Sequence, residues 1–356
     1  MNSYRLLRCL LVTAGLAVAP LATAAGFVDV LDAPASMSPL ASKSLLEAVT
    51  HIDDRVVAVG QRGHILVSTD GGASWKQSPV PVSSDLTAVC FVDATHGWAV
   101  GQDGVVLHSD DGGSTWRVQL DGRKANDLLV AAMTRKADAD PSDSAKKLLG
   151  EAQRYKEQGP DKPFLDVWFA DAQNGYVVGA YNLIFRTADG GKTWESWFDR
   201  TDNPKFLNLY AIRRVGSDLY IAGESGLLLK LDATAERFRA VDSGYAGSFF
   251  GLADAKGAVL AFGLRGNVFR SDDGGKTWTK VDVGLPAAIV ASTRTTGDAT
   301  LLADVGGRVV ATDDGGRTFR KLALKQSTPL AGLAEVADGR LAIAGPRGVV
   351  VTETTP

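Results

Sequence analysis

Short apolar runs separated by glycine- and aspartate-rich turns recur along the chain at intervals of about 41 residues. One interval shows the pattern most clearly, because each of its four runs has the length and composition of a short strand. These runs cover residues 86–92, 97–100, 105–108 and 116–120. Four antiparallel strands in a unit of about 40 residues are typical of one blade of a β-propeller. The pattern therefore predicts an all-β fold built from repeated four-stranded blades.

One turn sequence of eight residues occurs five times, at 68–75, 109–116, 187–194, 271–278 and 312–319. Each copy reads Ser or Thr, any residue, Asp, Gly, Gly, any residue, Ser or Thr, and then Trp or Phe. The glycines can adopt positive φ, the aspartate can accept backbone N–H bonds within the turn, and the aromatic ring anchors the next strand. We therefore predict a structural role for these side chains in a tight hairpin between the third and fourth strands. They are Asp70, Asp111, Asp189, Asp273, Asp314, Trp75, Trp116, Trp194, Trp278 and Phe319.

A second turn, Gly-x-x-Gly, precedes the third strand of each repeat and gives the number of repeats. It occurs at Gly60/Gly63, Gly101/Gly104, Gly223/Gly226, Gly263/Gly266 and Gly345/Gly348, with variants at Gly179/Asn182 and Asp304/Gly307. Successive copies are separated by 41, 78, 44, 40, 41 and 41 residues. The one long step exceeds the period by 37 residues, which indicates an insertion and not a lost repeat. Seven blades are therefore predicted.

The two ends of the chain are expected to close the ring together. The seventh repeat stops after its third strand, at Thr352, and an apolar piece at residues 27–31 precedes the first full repeat. An open sheet edge invites association with other chains. We therefore expect residues 27–31 to form the fourth strand of the seventh blade, within a propeller domain that spans residues 26–356.

The extra residues, about 123–162, carry a helical pattern and not a strand pattern. Asn126 is expected to cap a first helix, and Asp140 is expected to cap a second helix that ends near Gly159. The insert is therefore predicted to be an αα-hairpin between blades two and three. Two interpretations remain open: a solvated decoration of a loop, or a docking element, because long insertions in compact domains are often functional.

Strand alternation assigns the two kinds of turn to opposite faces of the ring. The eight-residue turns lie on one face, and the Gly-x-x-Gly turns share the other face with the blade-to-blade connections and the insert. Arg62, Arg347 and Arg265 lie in Gly-x-x-Gly turns that we assign to blades one, seven and six, which are neighbours. Together they would suit carboxylate or phosphate groups of a partner, and the alternative is that they are simply solvated. The other predicted partner contacts are Tyr181 in the same row of turns and the apolar Leu128 and Leu129 of the insert.

Residues 1–24 have the features of a secretory signal peptide: a basic start, an apolar stretch and an Ala-Thr-Ala cleavage signal. We therefore expect a periplasmic protein without a membrane span. The formal net charge of −3 argues against nucleic acid as a partner. Cys90 is the one cysteine after the leader, so no internal disulfide is possible, and we predict a buried, inert thiol. The four histidines show no metal-ligand spacing and no phosphate-binding loop is present, so we predict neither a metal nor a cofactor.

The five eight-residue turns look like Asp-box (BNR) repeats. With the strands Gly-Trp-Ala-Val-Gly at 97–101 and Gly-Tyr-Val-Val-Gly at 175–179, the chain resembles the photosystem II stability/assembly factor-like family over nearly its whole length. The resemblance implies a seven-bladed propeller, secreted to a lumen or periplasm, that acts without catalysis by binding membrane-protein subunits during assembly. It also implies an arginine-rich surface, which Arg62, Arg265 and Arg347 match loosely. Nothing in the sequence indicates photosynthesis, so we expect a relative from a non-photosynthetic bacterium, a monomer on its own, with a transporter or envelope complex as partner.

Two other functions remain open from the sequence. Asp-boxes also occur in glycoside hydrolases such as sialidases and xyloglucanases, where they are structural. Glycoside hydrolysis generally needs two carboxylates that face each other, whereas adjacent aspartates in a turn, such as Asp110 and Asp111, point apart. We therefore assign no catalytic residue. A small-molecule sensor would need polar residues around the central channel, and the innermost strands are mixed in character.

Overall fold

The computed structural model describes residues 28–337 and 339–355, so the predicted signal peptide at 1–24 lies outside the described residues. The described residues form five four-stranded sheets and one seven-stranded sheet, which joins a four-stranded unit at residues 289–324 to a three-stranded unit at residues 332–355. The innermost strand of each unit contacts the innermost strand of the next, and the seventh contacts the first. This ring of antiparallel units is a β-propeller, as predicted.

Each blade takes its strands in chain order from the axis outward. Blade one contains β1–β4 (Leu46–Ile52, Arg55–Gly60, Ile65–Ser68, Lys76–Gln77), blade two β5–β8 (Leu86–Phe91, Gly97–Gly101, Val106–Ser109, Arg117–Leu120), and blade three β9–β12 (Phe164–Phe169, Gly175–Gly179, Ile184–Thr187, Glu195–Ser196). Blade four contains β13–β16 (Leu209–Val215, Asp218–Gly223, Leu228–Asp232, Arg237–Ala240) and blade five β17–β20 (Phe249–Ala255, Ala258–Gly263, Val268–Ser271, Thr279–Val281). Blade six contains β21–β24 (Ile289–Arg294, Thr300–Asp304, Val309–Thr312, Arg320–Leu324) and blade seven β25–β27 (Gly332–Ala337, Arg340–Gly345, Gly348–Thr355).

The core consists of apolar layers between neighbouring blades. Between blades two and three, the Trp98 ring stacks on Phe169 with ring centroids 3.6 Å apart, and Trp194 meets Phe169 edge-on. The first glycine of each Gly-x-x-Gly turn allows the preceding connection to approach closely: a Cβ at Gly101 would stand 2.0 Å from the Asp85 carbonyl oxygen. The repeated glycines are therefore needed for blade-to-blade packing.

The prediction that residues 27–31 close the seventh blade is wrong for the residues that the structure describes. Residues 28–31 contain no strand, and the N–H of Ser83 donates to the Val30 carbonyl at 2.9 Å. Leu31 packs in the core cluster of blades one and two. Leu31 is therefore buried against the connection after blade one, whereas Val28 is exposed, and the described residues give blade seven three strands.

The insert forms two helices, as predicted, but both begin at residues other than the predicted ones. Helix α1 (Gly122–Ala139) is capped by Asp121, whose side chain accepts from the Lys124 N–H, and Asn126 instead lies inside this helix. Helix α2 (Asp143–Gln158) is capped by Ser142 and ends at Gly159. Aspartate and serine are both strong N-cap residues, so Asp121 and Ser142 cap the two helices in place of the predicted Asn126 and Asp140. In the described part of the chain, no helix is long and apolar enough to cross a bilayer.

Candidate docking face

The five Asp-box turns share one hydrogen-bond pattern. In the first copy, the Ser68 hydroxyl donates to Asp70 Oδ1 at 2.7 Å and accepts from the Gly72 N–H at 2.9 Å. The Asp70 carboxylate also accepts from the N–H and the hydroxyl of Ser74. The other four copies repeat these contacts. The Ser74 and Ser68 hydrogen bonds hold the pKa of Asp70 well below its usual range. The Asp-box carboxylates therefore stabilise the turn in which they lie.

The opposite face carries the Gly-x-x-Gly turns, and five of these place a non-glycine residue in the left-handed region. These residues are Arg62, Asp103, Tyr181, Ser225 and Arg265, with φ between 53° and 58°. The conformation turns the side chain at the tip of each turn away from the blade. The helical insert lies on this face, because the Tyr155 hydroxyl of α2 donates to the Tyr181 carbonyl at 3.2 Å. We call this surface the docking face.

Arg62, Arg265 and Arg347 are all exposed at the tips of these turns. None of them forms an ion pair with a carboxylate of the described residues. Arg265 belongs to blade five, since its turn joins β18 to β19, so the assignment to blade six is wrong. The turn of blade six lies between Arg265 and Arg347 and contributes Arg308, whose Nε is 2.7 Å from Oδ2 of the buried Asp304. The three arginines without an ion pair to described carboxylates therefore lie on the turns of blades five, seven and one, and the turn of Arg308 lies between Arg265 and Arg347.

The aromatic residues of the insert side form a second cluster on the docking face. Tyr181 is 50% exposed, and its ring centroid is 6.1 Å from that of the buried Tyr155. The buried Lys162 Nζ lies 5.0 Å from the Tyr155 ring centroid and 2.7 Å from Asp161 Oδ1. Desolvation raises the pKa of the Tyr155 hydroxyl above its usual range. Tyr181 is thus an exposed ring on a rigid, buried support.

Leu128 and Leu129 have different environments. Leu128 is half-buried against the core of blades two and three, whereas Leu129 is 0% exposed within it. Leu129 therefore belongs to the core and does not form part of an exposed surface, which corrects the expectation for this residue. The insert buries its apolar run against its own propeller.

The centre of the ring holds a small cavity of about 180 Å³ lined by the innermost strands. Asp166 lies in it, buried, and accepts from the Ile212 N–H at 2.8 Å and from the Arg213 guanidinium. Burial raises the pKa of Asp166, while Arg213 opposes that shift. Desolvation also raises the pKa of the Cys90 thiol to about 12, so this thiol is a poor nucleophile at neutral pH. The Asp166 carboxylate at the centre of the ring therefore forms an ion pair with Arg213.

A cleft of about 510 Å³ separates the insert from the connection between blades three and four. Lys136 and Asp199 bridge it at 3.0 Å, and Lys147 reaches the Pro204 carbonyl at 3.2 Å. The sequence did not predict this cleft, because it depends on where the long connection at 197–208 folds back. This ion pair and this hydrogen bond join the insert to the connection at 197–208.

A family model described as photosynthesis system II assembly factor YCF48 matches residues 36–139 and 154–244, which is more than half of the chain. A BNR/Asp-box repeat model matches residues 269–280. A curated relative, the photosystem II assembly lipoprotein Ycf48 of Synechococcus sp. (strain CC9902), is 33% identical over 120 residues. This match covers 32% of the chain and 35% of the relative, so the alignment spans about a third of that protein.

Solved structures of the same fold cover nearly the whole chain. A structure titled YCF48 bound to D1 peptide has a TM-score of 0.62 at 15% identity and covers 88% of this chain and 95% of its own. YCF48 from Cyanidioschyzon merolae has a TM-score of 0.62 at 18% identity and covers 90% and 98%. A streptogramin B lyase has a TM-score of 0.64 at 14% identity and covers 90% and 97%. At these identities the similarity shows the propeller fold alone.

The gap between the two matched segments of the family model, at residues 140–153, lies within the helical insert, after α1 and over the first part of α2. The flanking blades lie in the matched segments. The repeat pattern, the fold and the family model agree over blades one to four. The chain belongs to the family described as photosynthesis system II assembly factor YCF48.

Proposed function

We propose that this protein is a non-catalytic scaffold outside the cytoplasm, which binds a membrane-protein partner during the assembly of a membrane complex. Binding takes place through the docking face. The observation that carries the proposal is the set of unpaired Arg62, Arg265 and Arg347 guanidinium groups at the tips of rigid turns, on the same face as the helical insert. Exposed arginines without an internal partner remain available for carboxylates of another protein.

Apolar side chains accompany these arginines at the turn tips. Tyr181, Leu264 and Val305 are among the few large apolar residues that are exposed in the described part of the chain, and all three lie in Gly-x-x-Gly turns. Aromatic and arginine side chains are enriched at the centres of protein interfaces. The chemistry therefore fits an extramembrane segment that combines acidic and apolar residues.

Membership of the family supports an assembly role, and the relative bound to a D1 peptide supports a peptide segment as the kind of ligand. The leader at residues 1–24 supports export to the periplasm. We expect the partner to be a transporter or an envelope complex in a bacterium without photosystems, and a photosystem subunit in a bacterium that has them. The protein is expected to be a monomer before it binds.

A capture experiment with matched charge reversals tests the proposal. The first variant carries Arg62→Glu, Arg265→Glu and Arg347→Glu on the docking face. The control variant carries Lys192→Glu, Lys256→Glu and Lys276→Glu, three exposed lysines on the Asp-box face that also lack an ion pair with described carboxylates. Both variants change the net charge equally, so a difference in recovery between them does not arise from net charge.

Each form is cross-linked in cells and recovered from solubilised membranes, and the recovered proteins are quantified. We expect the control to recover the same membrane protein as the wild type, and the docking-face variant to recover at least tenfold less, a loss of about 1.4 kcal/mol in binding. Equal losses in both variants, or a loss only in the lysine variant, would place the contact elsewhere. A glycan-hydrolysis screen then becomes the next experiment.

A further inference from the structure

Blade seven differs from the other six because its third strand, β27, has an open outer edge over most of its length. In the six other blades a fourth strand pairs with the third. Along β27, Ala323 and Leu324 pair with its last two residues. The Lys325 N–H donates to the Glu353 carbonyl, and the Gln326 N–H donates to Thr352 Oγ1 at 3.0 Å. The upstream part, from Gly348 to Thr352, pairs with β26 on one side and with no described strand on the other.

The unpaired backbone groups can be identified from the hydrogen-bond alternation of an antiparallel ladder. The Glu353 carbonyl points to the outer edge, since it accepts from Lys325. Residues two and four positions earlier share this orientation, so the N–H and C=O of Val351 and Val349 also point outward. Within the described residues, neither has a partner on that side. This edge offers four backbone groups in the spacing that an added strand requires.

The surroundings of this edge are apolar and only partly covered. Trp75 of blade one and Val351 pack against the same core cluster, and Trp75 is partly exposed. At the same turn position Trp278 is also partly exposed, whereas Trp116 and Trp194 are buried. Met37 and Leu40 are 61% and 63% exposed, and they immediately precede the short helix Ala41–Lys43 that contacts β27. A fourth strand would cover this surface.

Blade one indicates which side chain the missing strand should carry. After its fourth strand, the Ser78 hydroxyl donates to the Gly113 carbonyl in the Asp-box of blade two at 2.6 Å. Gly72 is the position in blade one that corresponds to Gly113, and its carbonyl accepts no hydrogen bond from the described residues. A Ser in an added strand would supply this donor.

Charge indicates which end of the added strand is acidic. A strand antiparallel to β27 ends beside Gly348, where the Lys43 Cα is 2.7 Å from the place a Cβ would occupy. Lys43 and Arg347 are both exposed there, without a carboxylate partner among the described residues. An acidic group at the C-terminal end of the strand would therefore be favoured.

We propose that the open edge of β27 binds an extended segment of a partner protein as the fourth strand of blade seven. The segment runs antiparallel to β27, carries Ser next to Gly72, and has an acidic group at its C-terminal end. The proposal takes from the proposed function only that a partner exists, and it concerns a different surface, which shares Arg347 with the docking face.

The chain itself provides a probe. A synthetic peptide of residues 115–121 contains the fourth strand of blade two and ends in an aspartate. In blade two, Leu120 pairs with Val106, which corresponds to Val349, so the peptide's Asp121 would lie beside Gly348. Binding of the fluorescently labelled peptide to the protein is measured by anisotropy.

Two changes remove the strand hydrogen bonds. Methylation of the Leu120 nitrogen in the peptide removes a donor while the protein stays unchanged. Val351→Pro in the protein removes an outward N–H that makes no bond to β26, so the ladder inside blade seven is kept. We expect each change to weaken binding at least tenfold, and Lys43→Glu to weaken it by a smaller, salt-dependent factor.

Several results would overturn the proposal. One is peptide binding that survives both changes, and another is the absence of binding at millimolar peptide concentrations. A dimer in sedimentation that Val351→Pro dissolves would assign the edge to a second copy of the chain. Peptide binding that appears only when residues 1–27 are removed would assign it to the chain's own N-terminal segment. Because the assay uses no membrane partner, it can fail while capture through the docking face succeeds, and the reverse also holds.

Discussion

Replacing Leu129 by alanine should destabilise the propeller. Leu129 lies in the helical insert, for which the sequence allows a solvated decoration of a loop as one interpretation. Leu129 is 0% exposed, in one cluster with Met133, Tyr155 and Phe164. The substitution removes three buried carbon atoms, worth about 2.4 kcal/mol of transfer free energy at about 0.8 kcal/mol each. A cavity between helix and blade adds to this loss, so we expect a decrease of about 2–5 kcal/mol in the free energy of unfolding.

Urea unfolding followed by tryptophan fluorescence measures this loss, with Leu128→Ala as the matched control. Leu128 is only half-buried, so its truncation should cost less than about 1 kcal/mol. Equal small losses for both variants would show that the insert does not share the propeller core, and would refute the reasoning. The same packing means that deletion of residues 124–160 would expose Phe164 and its neighbours. Point variants are therefore the sound way to test docking.

Three further predictions concern charged and titratable groups, and urea midpoints measured across pH check each of them. The Thr277 hydroxyl and N–H lower the pKa of Asp273, so its stabilisation is present above about pH 4 and is lost progressively as the pH falls further. Asp273→Asn should therefore destabilise less at pH 2 than at pH 7. Desolvation lowers the pKa of His108 to about 4, so the wild type should lose stability from about pH 6.5 down to pH 4, and His108→Phe should remove that dependence. Arg213→Ala leaves the buried Asp166 without its partner and should cost about 3–5 kcal/mol, most of which Asp166→Asn should restore; no recovery in the double variant would contradict the ion-pair account.

The repeat architecture could be predicted from the sequence because its signals are local. Each Asp-box closes on itself through residues within eight positions, so the motif specifies the turn without knowledge of the rest of the fold. Strand alternation then assigns the two faces. The position of the insert follows in the same way, since it replaces a blade-to-blade connection.

Features that depend on contacts between distant segments could not be predicted in this way. Residues 28–31 have the composition of a strand, but they pack over the connection after blade one because that site offers Val80 and Val82 as apolar partners. Leu129 follows a helical apolar pattern that fits an external partner as well as the protein's own core. The pattern alone does not distinguish the two.

The arginines of the docking face show a second kind of feature that the sequence does not predict. Arg265 belongs to blade five and not to the predicted blade six, because its turn joins β18 to β19. The Gly-x-x-Gly pattern does not select Arg308, because this residue follows a variant turn that begins with Asp304. Side-chain pairing decides which arginines are free, and it is visible only in three dimensions.

Site-specific photo-cross-linking tests the central claim most directly. A photoreactive amino acid is placed at Tyr181, on the docking face, and in a second protein at Lys276, on the Asp-box face; both positions are exposed turn tips. After irradiation of intact cells, we predict that a membrane protein is cross-linked from position 181 and not from position 276. If a membrane protein is cross-linked from position 276 and not from position 181, the account is contradicted and the partner binds the Asp-box face.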